Sequence, residues 1–203
     1  AIVFILPTNG GEAGMVLVAI LLGLVLPITP VQILWVNMIT AITLALAIAF
    51  EKPEADIMAR PPRDPREPLL SGFLLWRIAF VSALLVTGSL GMFLWEQARG
   101  VSLETARTAA VNALVMGEIV YLFNCRHLRR SVLHREGLLG NRFVLLAVGL
   151  LVLFQVLFTY LPIVQDLFGT AALDLSAWAR ITTFGLAMFL IVEAEKQLMR
   201  RFR

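Results

Sequence analysis

The chain carries six long apolar runs separated by charged or proline-rich connections, and that alternation constrains its fold more than any single motif does. A helix that crosses the ~30 Å hydrocarbon layer needs about 20 mostly apolar residues. The runs occupy about residues 1–26, 32–50, 73–95, 108–125, 143–161 and 178–193. None shows the period-two alternation of a membrane β-barrel, so each is predicted to be a helix that satisfies its own backbone hydrogen bonds. The expected fold class is all-α, a polytopic membrane protein whose residues 1–203 form one bundle of six transmembrane helices. Composition excludes a soluble domain: 59% of residues are hydrophobic and 15% charged, with a mean hydropathy of +0.85. The first partner of such a bundle is the lipid bilayer.

The basic residues report orientation, because the cytosolic side of a membrane protein carries the excess of Lys and Arg. Fourteen of the 17 follow runs two, four and six, in the connections or, for Arg77, just inside the next run: Lys52, Arg60, Arg63, Arg66, Arg77, Arg126, Arg129, Arg130, Arg135, Arg142, Lys196, Arg200, Arg201 and Arg203. Only Arg99, Arg107 and Arg180 lie on the opposite side. Both termini are therefore expected in the cytosol, and the membrane is expected to be the plasma (inner) membrane. The same segregation accounts for the net charge of +3 without a nucleic-acid partner. A lone cysteine, Cys125, excludes a disulfide scaffold, and no Cys/His spacing suits structural zinc. The opening Ala-Ile-Val-Phe lacks both a methionine and a signal-peptide pattern, as expected of a piece of a longer protein. The connection over residues 51–72 holds Pro53, Pro61, Pro62, Pro65 and Pro68, so it is expected to be an extended cytosolic strap or a stiff spacer.

Polar residues inside the runs need a reason, since a carboxylate near the bilayer centre costs about 2.5–3.5 kcal/mol on insertion scales. Glu118 lies eight residues before Arg126 and eleven after Arg107. At ~1.5 Å per residue it is roughly 12 and 16 Å from those charged borders, near the midplane. Glu12 follows Asn9 by three positions and shares its helix face, beside Pro7, Gly10 and Gly11, which weaken the helix and admit a close neighbour. In the second run Asn37, Thr40 and Thr43 form a polar stripe, and Pro27 and Pro30 make an outer hairpin that sets the two stripes side by side. Oxygens of Glu, Asn and Thr are ligands for hard cations or protons and do not suit soft metals. Interhelical hydrogen bonding, worth about 0.6 kcal/mol per bond, is the structural alternative. It is the expectation for Thr43 and Asn112, whereas Glu12 and Glu118 point to a cation site. Glu96, Glu193 and Glu195, at run ends, are expected to meet water, and Arg77 to snorkel to the surface.

Three ordered stretches carry a family resemblance. Pro30-Val31-Gln32-Ile33-Leu34-Trp35-Val36-Asn37-Met38-Ile39-Thr40, then Asp56-Ile57-Met58-Ala59-Arg60-Pro61-Pro62-Arg63, then Glu67-Pro68-Leu69-Leu70-Ser71-Gly72 resemble the C-terminal membrane region of P-type cation-transporting ATPases, the calcium and sodium/potassium pump group, in a bacterial-type variant. The resemblance covers nearly the whole chain. It implies that the six spans are the fifth to tenth of ten helices. It implies further that Asn9, Glu12, Asn37, Thr40 and Glu118 bind the transported cation, with Glu118 in Met116-Gly117-Glu118-Ile119 matching the eighth-helix glutamate of calcium pumps. Asp56, Arg60, Pro61, Pro62 and Arg63 would then belong to the loop that couples the membrane part to the phosphorylation domain. The family's sixth helix usually has an aspartate after the threonine, where this chain has Ala41, so one cation or a proton is a better expectation than two Ca²⁺ ions.

The family's Asp-Lys-Thr-Gly and Thr-Gly-Glu motifs are not in these 203 residues, nor is a phosphate-cradling P-loop. The chain alone is therefore expected neither to bind nor to hydrolyse ATP. The resemblance places ATP, Mg²⁺ and the phosphorylation, nucleotide-binding and actuator domains in an upstream part of the parent chain. Two alternatives stand beside this reading: a free-standing six-helix membrane protein, channel or interaction subunit, without ATP coupling, and half of a secondary transporter. The pump-like motifs and the lack of an internal repeat weigh against them.

Overall fold

A computed structural model of the chain describes residues 2–45, 47, 71–126 and 141–201, with the backbone alone at 41, 45, 200 and 201. Asp56, Arg60, Pro61, Pro62 and Arg63, assigned above to a coupling loop, lie outside the described residues. So do the end of the second apolar run and the basic stretch 127–140.

The described residues fold as helices without a strand. Helix α1 spans Ile2–Leu21 and α2 spans Pro30–Thr40, running on into a π-helical turn at Ala41–Ala45. Then follow α3 (Gly72–Ala98), α4 (Leu103–Arg126), α5 (Arg142–Tyr160), a short α6 (Pro162–Phe168) and α7 (Leu175–Arg201). Five of these, α1, α3, α4, α5 and α7, are long and apolar enough to cross a membrane. The second run is described only as a shorter apolar helix over Pro30–Leu44. The protein is thus an all-α polytopic membrane protein, with five rather than six spans complete among the described residues.

Local chemistry sets the boundaries that hydropathy missed. The first run stays apolar to residue 26, yet α1 stops at Leu21 because Gly23 adopts φ +65°. Its N–H donates to Ile20 O (3.1 Å) and that of Leu24 to Ala19 O (2.8 Å), a Schellman closure that needs glycine at the left-handed position. Six residues after Gly23, Thr29 and Gln32 cap α2 reciprocally: Thr29 N–H donates to Gln32 Oε1 (3.0 Å) and Gln32 N–H to Thr29 Oγ1 (3.3 Å). Pro30 takes the first helical position, where its missing N–H is harmless. Helix α6 lies between the fifth and sixth apolar runs, beginning at Pro162 and capped by left-handed Gly169.

Helix α4 is the centre of the bundle: every residue from Thr108 to Val115 is buried. A helix buried on all sides has neighbours on all sides, and α1, α3, α5 and α7 all pack against α4. Helix α1 packs mainly on α3. Leu85 of α3 fixes this arrangement. A Cβ on Gly11 would lie 2.7 Å from Leu85 Cβ, and one on Gly117 would lie 2.5 Å from Leu85 Cδ2. One leucine is therefore seated against two glycines, one on α1 and one on α4.

The carboxylates expected to meet water at the span ends are largely withdrawn from it. Glu96 is 1% exposed, accepting hydrogen bonds from Arg180 and from Arg99 (3.1 Å). Glu193 pairs with Lys196 (2.6 Å) and accepts from Asn124 (2.8 Å). Glu195 pairs with Arg77 (3.0 Å), which is 1% exposed and does not snorkel. Each carboxylate has found a cation, and the pairs Arg180–Glu96 and Arg77–Glu195 join α7 to α3. Opposite charges in contact offset the desolvation that either would suffer alone. Asn112, expected in interhelical hydrogen bonding, donates to Thr159 Oγ1 on α5 (3.1 Å). Thr43 instead donates to Ile39 O of its own helix (2.5 Å).

Candidate cation site

Glu12 and Glu118 each follow one of the two glycines that receive Leu85, so the wedge that sets α1 against α4 also sets their carboxyls. Glu118 is 0% exposed and Glu12 5% exposed. The two carboxyls are neighbours, and the Thr40 hydroxyl flanks Glu118. Asn37 Nδ2 donates to Glu12 Oε2 (2.6 Å), bridging α2 to α1. Thr40 Oγ1 donates to Val36 O (2.9 Å), which leaves the hydroxyl's lone pairs free to face a ligand. Directly after Thr40 the backbone widens into the π-helical turn; such turns release main-chain carbonyls and recur at functional sites.

What separates this cluster from the other buried carboxylates is its lack of a partner. Glu96 and Glu193 have basic side chains against them; among the described residues Glu12 and Glu118 have none. Glu12 Oε1 and both oxygens of Glu118 are buried and lack a geometrically formed hydrogen bond. Two neighbouring carboxyls in a low-dielectric interior cannot both stay charged without a compensating cation. The arrangement therefore fits a bound cation or protons, and its donor set of two carboxylates, an amide and a hydroxyl is hard and oxygen-based. Among the described residues no three His, Cys, Asp or Glu side chains converge, so these oxygens form a partial shell rather than a closed all-carboxylate cage.

Four of the five residues expected to bind a cation thus come together: Glu12, Asn37, Thr40 and Glu118. Asn9 does not join them, because its side chain is exposed on the flank of α1 beside Glu12. Leu85 and Tyr121 were missed. Leu85 carried no polar signal, although the paired Gly11-Glu12 and Gly117-Glu118 hint at close packing beside each carboxylate. Tyr121 sits one helical turn beyond Glu118 and donates to Val3 O on α1 (2.7 Å).

Comparison with known proteins bears on what such a cluster is for. Residues 25–198 match the family described as cation transporting ATPase, C-terminus. The chain belongs to this family. A probable cation-transporting ATPase F of Mycobacterium tuberculosis (strain H37Rv) is 47% identical over 199 residues, covering 98% of this chain and 22% of the relative. A cation-transporting ATPase of Synechocystis is 40% identical over 184 residues, covering 88% of this chain and 20% of the relative. A calcium-transporting ATPase of Bacillus subtilis is 33% identical over 191 residues, covering 91% and 21%. This member of the cation-ATPase C-terminal family spans about a fifth of the length of these relatives. It is a C-terminal membrane region of the P-type cation-ATPase kind.

Proposed function

We propose that this chain supplies the ion-translocating half of an ATP-driven cation pump and that Glu12, Asn37, Thr40 and Glu118 hold the transported cation between α1, α2 and α4. The observation that carries the reading is the pair of neighbouring buried carboxyls, three of whose oxygens lack a formed hydrogen bond, whereas Glu96, Glu193 and Glu195 among the described residues have basic partners. Asn9 belongs to the open side of the same site, one turn from Glu12 on an exposed flank. With Ala41 in place of a further carboxylate, charge balance favours one cation, or a proton, over two divalent ions. The cation is cargo: its identity follows from the site only as a hard, oxygen-liking ion.

ATP and Mg²⁺ act in the parent chain, together with its phosphorylation, nucleotide-binding and actuator domains. The strap containing Asp56, Arg60, Pro61, Pro62 and Arg63 links their motion to the membrane part. Both ends of this chain face the cytosol, and the pump resides in the plasma membrane. A shift of α1 relative to α4 separates Glu12 from Glu118, weakening cation affinity and changing the side of access together. Family membership supports this reading over a free-standing channel or interaction subunit. The test is cation-stimulated ATPase activity of the full-length protein with Glu12→Gln and Glu118→Gln. Each removes one charge at constant shape and is expected to lower apparent cation affinity by at least about tenfold, about 1.4 kcal/mol. Unchanged cation dependence in both variants would sink the assignment.

A further inference from the structure

Pro7 lies inside α1, and proline has no N–H to give to the carbonyl four residues earlier. That carbonyl is Val3 O, and Tyr121 of α4 supplies the missing donor: its hydroxyl donates to Val3 O at 2.7 Å. The phenol is 1% exposed and its ring stacks on Phe4 (centroids 6.1 Å apart, planes 16° apart). The proline turn is held from the other side as well, where Ser82 Oγ of α3 donates to Pro7 O (2.9 Å). Tyr121 follows Glu118 by one turn of α4; on α1 Glu12 follows Pro7 by little more than one turn and Val3, the residue bonded, by nine positions, about two and a half turns. The same two helices that present the carboxyls are therefore tied together by a single directed hydrogen bond, one turn from Glu118 along α4 and about two and a half turns from Glu12 along α1, at the point where α1 has lost its own.

We propose that Tyr121 is a positioning residue for cation binding: its hydroxyl latches α1 to α4 through the carbonyl that Pro7 frees, and so fixes Glu12 opposite Glu118. This rests on the cation site proposed above. The latch is an O–H to a carbonyl that helical geometry leaves unserved, so breaking it strands a part-buried acceptor. The site is then most sensitive to the hydroxyl, not to the ring, and the dependence should vanish once α1 has a donor of its own at position 7.

The experiment uses the full-length protein and compares wild type, Tyr121→Phe, Pro7→Ala and the double variant. Glu118→Gln serves as the reference, and Na⁺, K⁺ and Ca²⁺ are titrated in turn as probes in the ATPase assay. Tyr121→Phe keeps the ring against Phe4 and removes only the hydroxyl. It is expected to raise the half-saturating cation concentration about five- to tenfold while changing the maximal rate less than twofold. In the Pro7→Ala background, where the restored backbone N–H serves Val3 O, the same substitution is expected to shift it less than twofold. A purely structural role would change the maximal rate and expression equally in both backgrounds, and that result overturns the latch. If Glu118→Gln alters cation dependence and Tyr121→Phe does not, the latch fails while the site stands. If Glu118→Gln alters nothing, the site reading fails and the latch loses its object with it.

Discussion

Leu85 offers the sharpest test of how the two carboxyls are placed, because the three-way contact makes opposite predictions for its two glycines. In Gly117→Ala the new methyl lies 2.5 Å from Leu85 Cδ2 and 3.2 Å from Met188 Sδ. Overpacking of this kind costs about 1–3 kcal/mol, against a gain of about 1 kcal/mol from replacing a helical glycine by alanine. The net loss is up to about 2 kcal/mol. In Gly11→Ala the methyl meets Leu85 Cβ at 2.7 Å and Cδ1 at 2.8 Å, a similar conflict. Leu85→Ala by itself costs about 2–5 kcal/mol, since Leu85 is fully buried. The double variants separate the cases. With Leu85→Ala the Cδ2 atom is gone, so Gly117→Ala should turn from destabilising to neutral or stabilising by up to about 1 kcal/mol. Alanine retains Cβ, so Gly11→Ala should stay destabilising in the same background. Thermal unfolding of the full-length protein in detergent, followed by tryptophan fluorescence, reads all five variants. Equal destabilisation by Gly117→Ala in both backgrounds, or rescue of Gly11→Ala, would refute the wedge.

Two further predictions concern the bundle's charges. Arg180→Ala removes one of two partners from buried Glu96, leaving Arg99 at 3.1 Å. The expected cost is about 3 kcal/mol, the low end for breaking a buried pair, and adding Glu96→Gln should recover most of it in the same unfolding assay. Asp174 caps α7 by accepting from Ala177 N–H (2.6 Å) and Ser176 Oγ (2.9 Å). The Ala177 amide, then the Ser176 hydroxyl, hold its carboxyl below the usual carboxylate range. The folded value is the depressed one, so its stabilisation is present above the ordinary carboxylate pKa and fades as pH falls through the folded value. Asp174→Asn should remove this acid dependence and keep the cap, whereas Asp174→Ala should lower the unfolding midpoint at neutral pH.

The helices were legible because burial in lipid demands long apolar runs, and the site because an ionisable group inside such a run has to be justified. Glu12, Asn37, Thr40 and Glu118 therefore stood out one by one; α1 and α2 meet through the Asn37–Glu12 hydrogen bond, while α1 packs mainly on α3. The fates of Glu96 and Glu195 were not legible. Their partners Arg180 and Arg77 stand 84 and 118 positions away in sequence, and only the packing of α7 on α3 brings them into contact. Read singly, such charges at span ends look as though they reach for water. Glu193 and Lys196 were closer to readable, being three apart on one helix. The halt of α1 at Leu21 was written in Gly23, but hydropathy alone passes over a glycine. Asn9 shares the carboxylate's helix face by spacing, and three positions still turn it far enough to be exposed.

Direct cation binding tests the central claim without the complication of turnover. The full-length protein would be equilibrated with radiolabelled Na⁺, Rb⁺ and Ca²⁺ in turn, without ATP, and compared with the Glu12→Gln/Glu118→Gln double variant across a pH series. Saturable binding of one of these cations, in competition with protons, is expected, and it disappears in the double variant while its fold persists by circular dichroism. Wild-type affinity and stoichiometry in a folded double variant would contradict it.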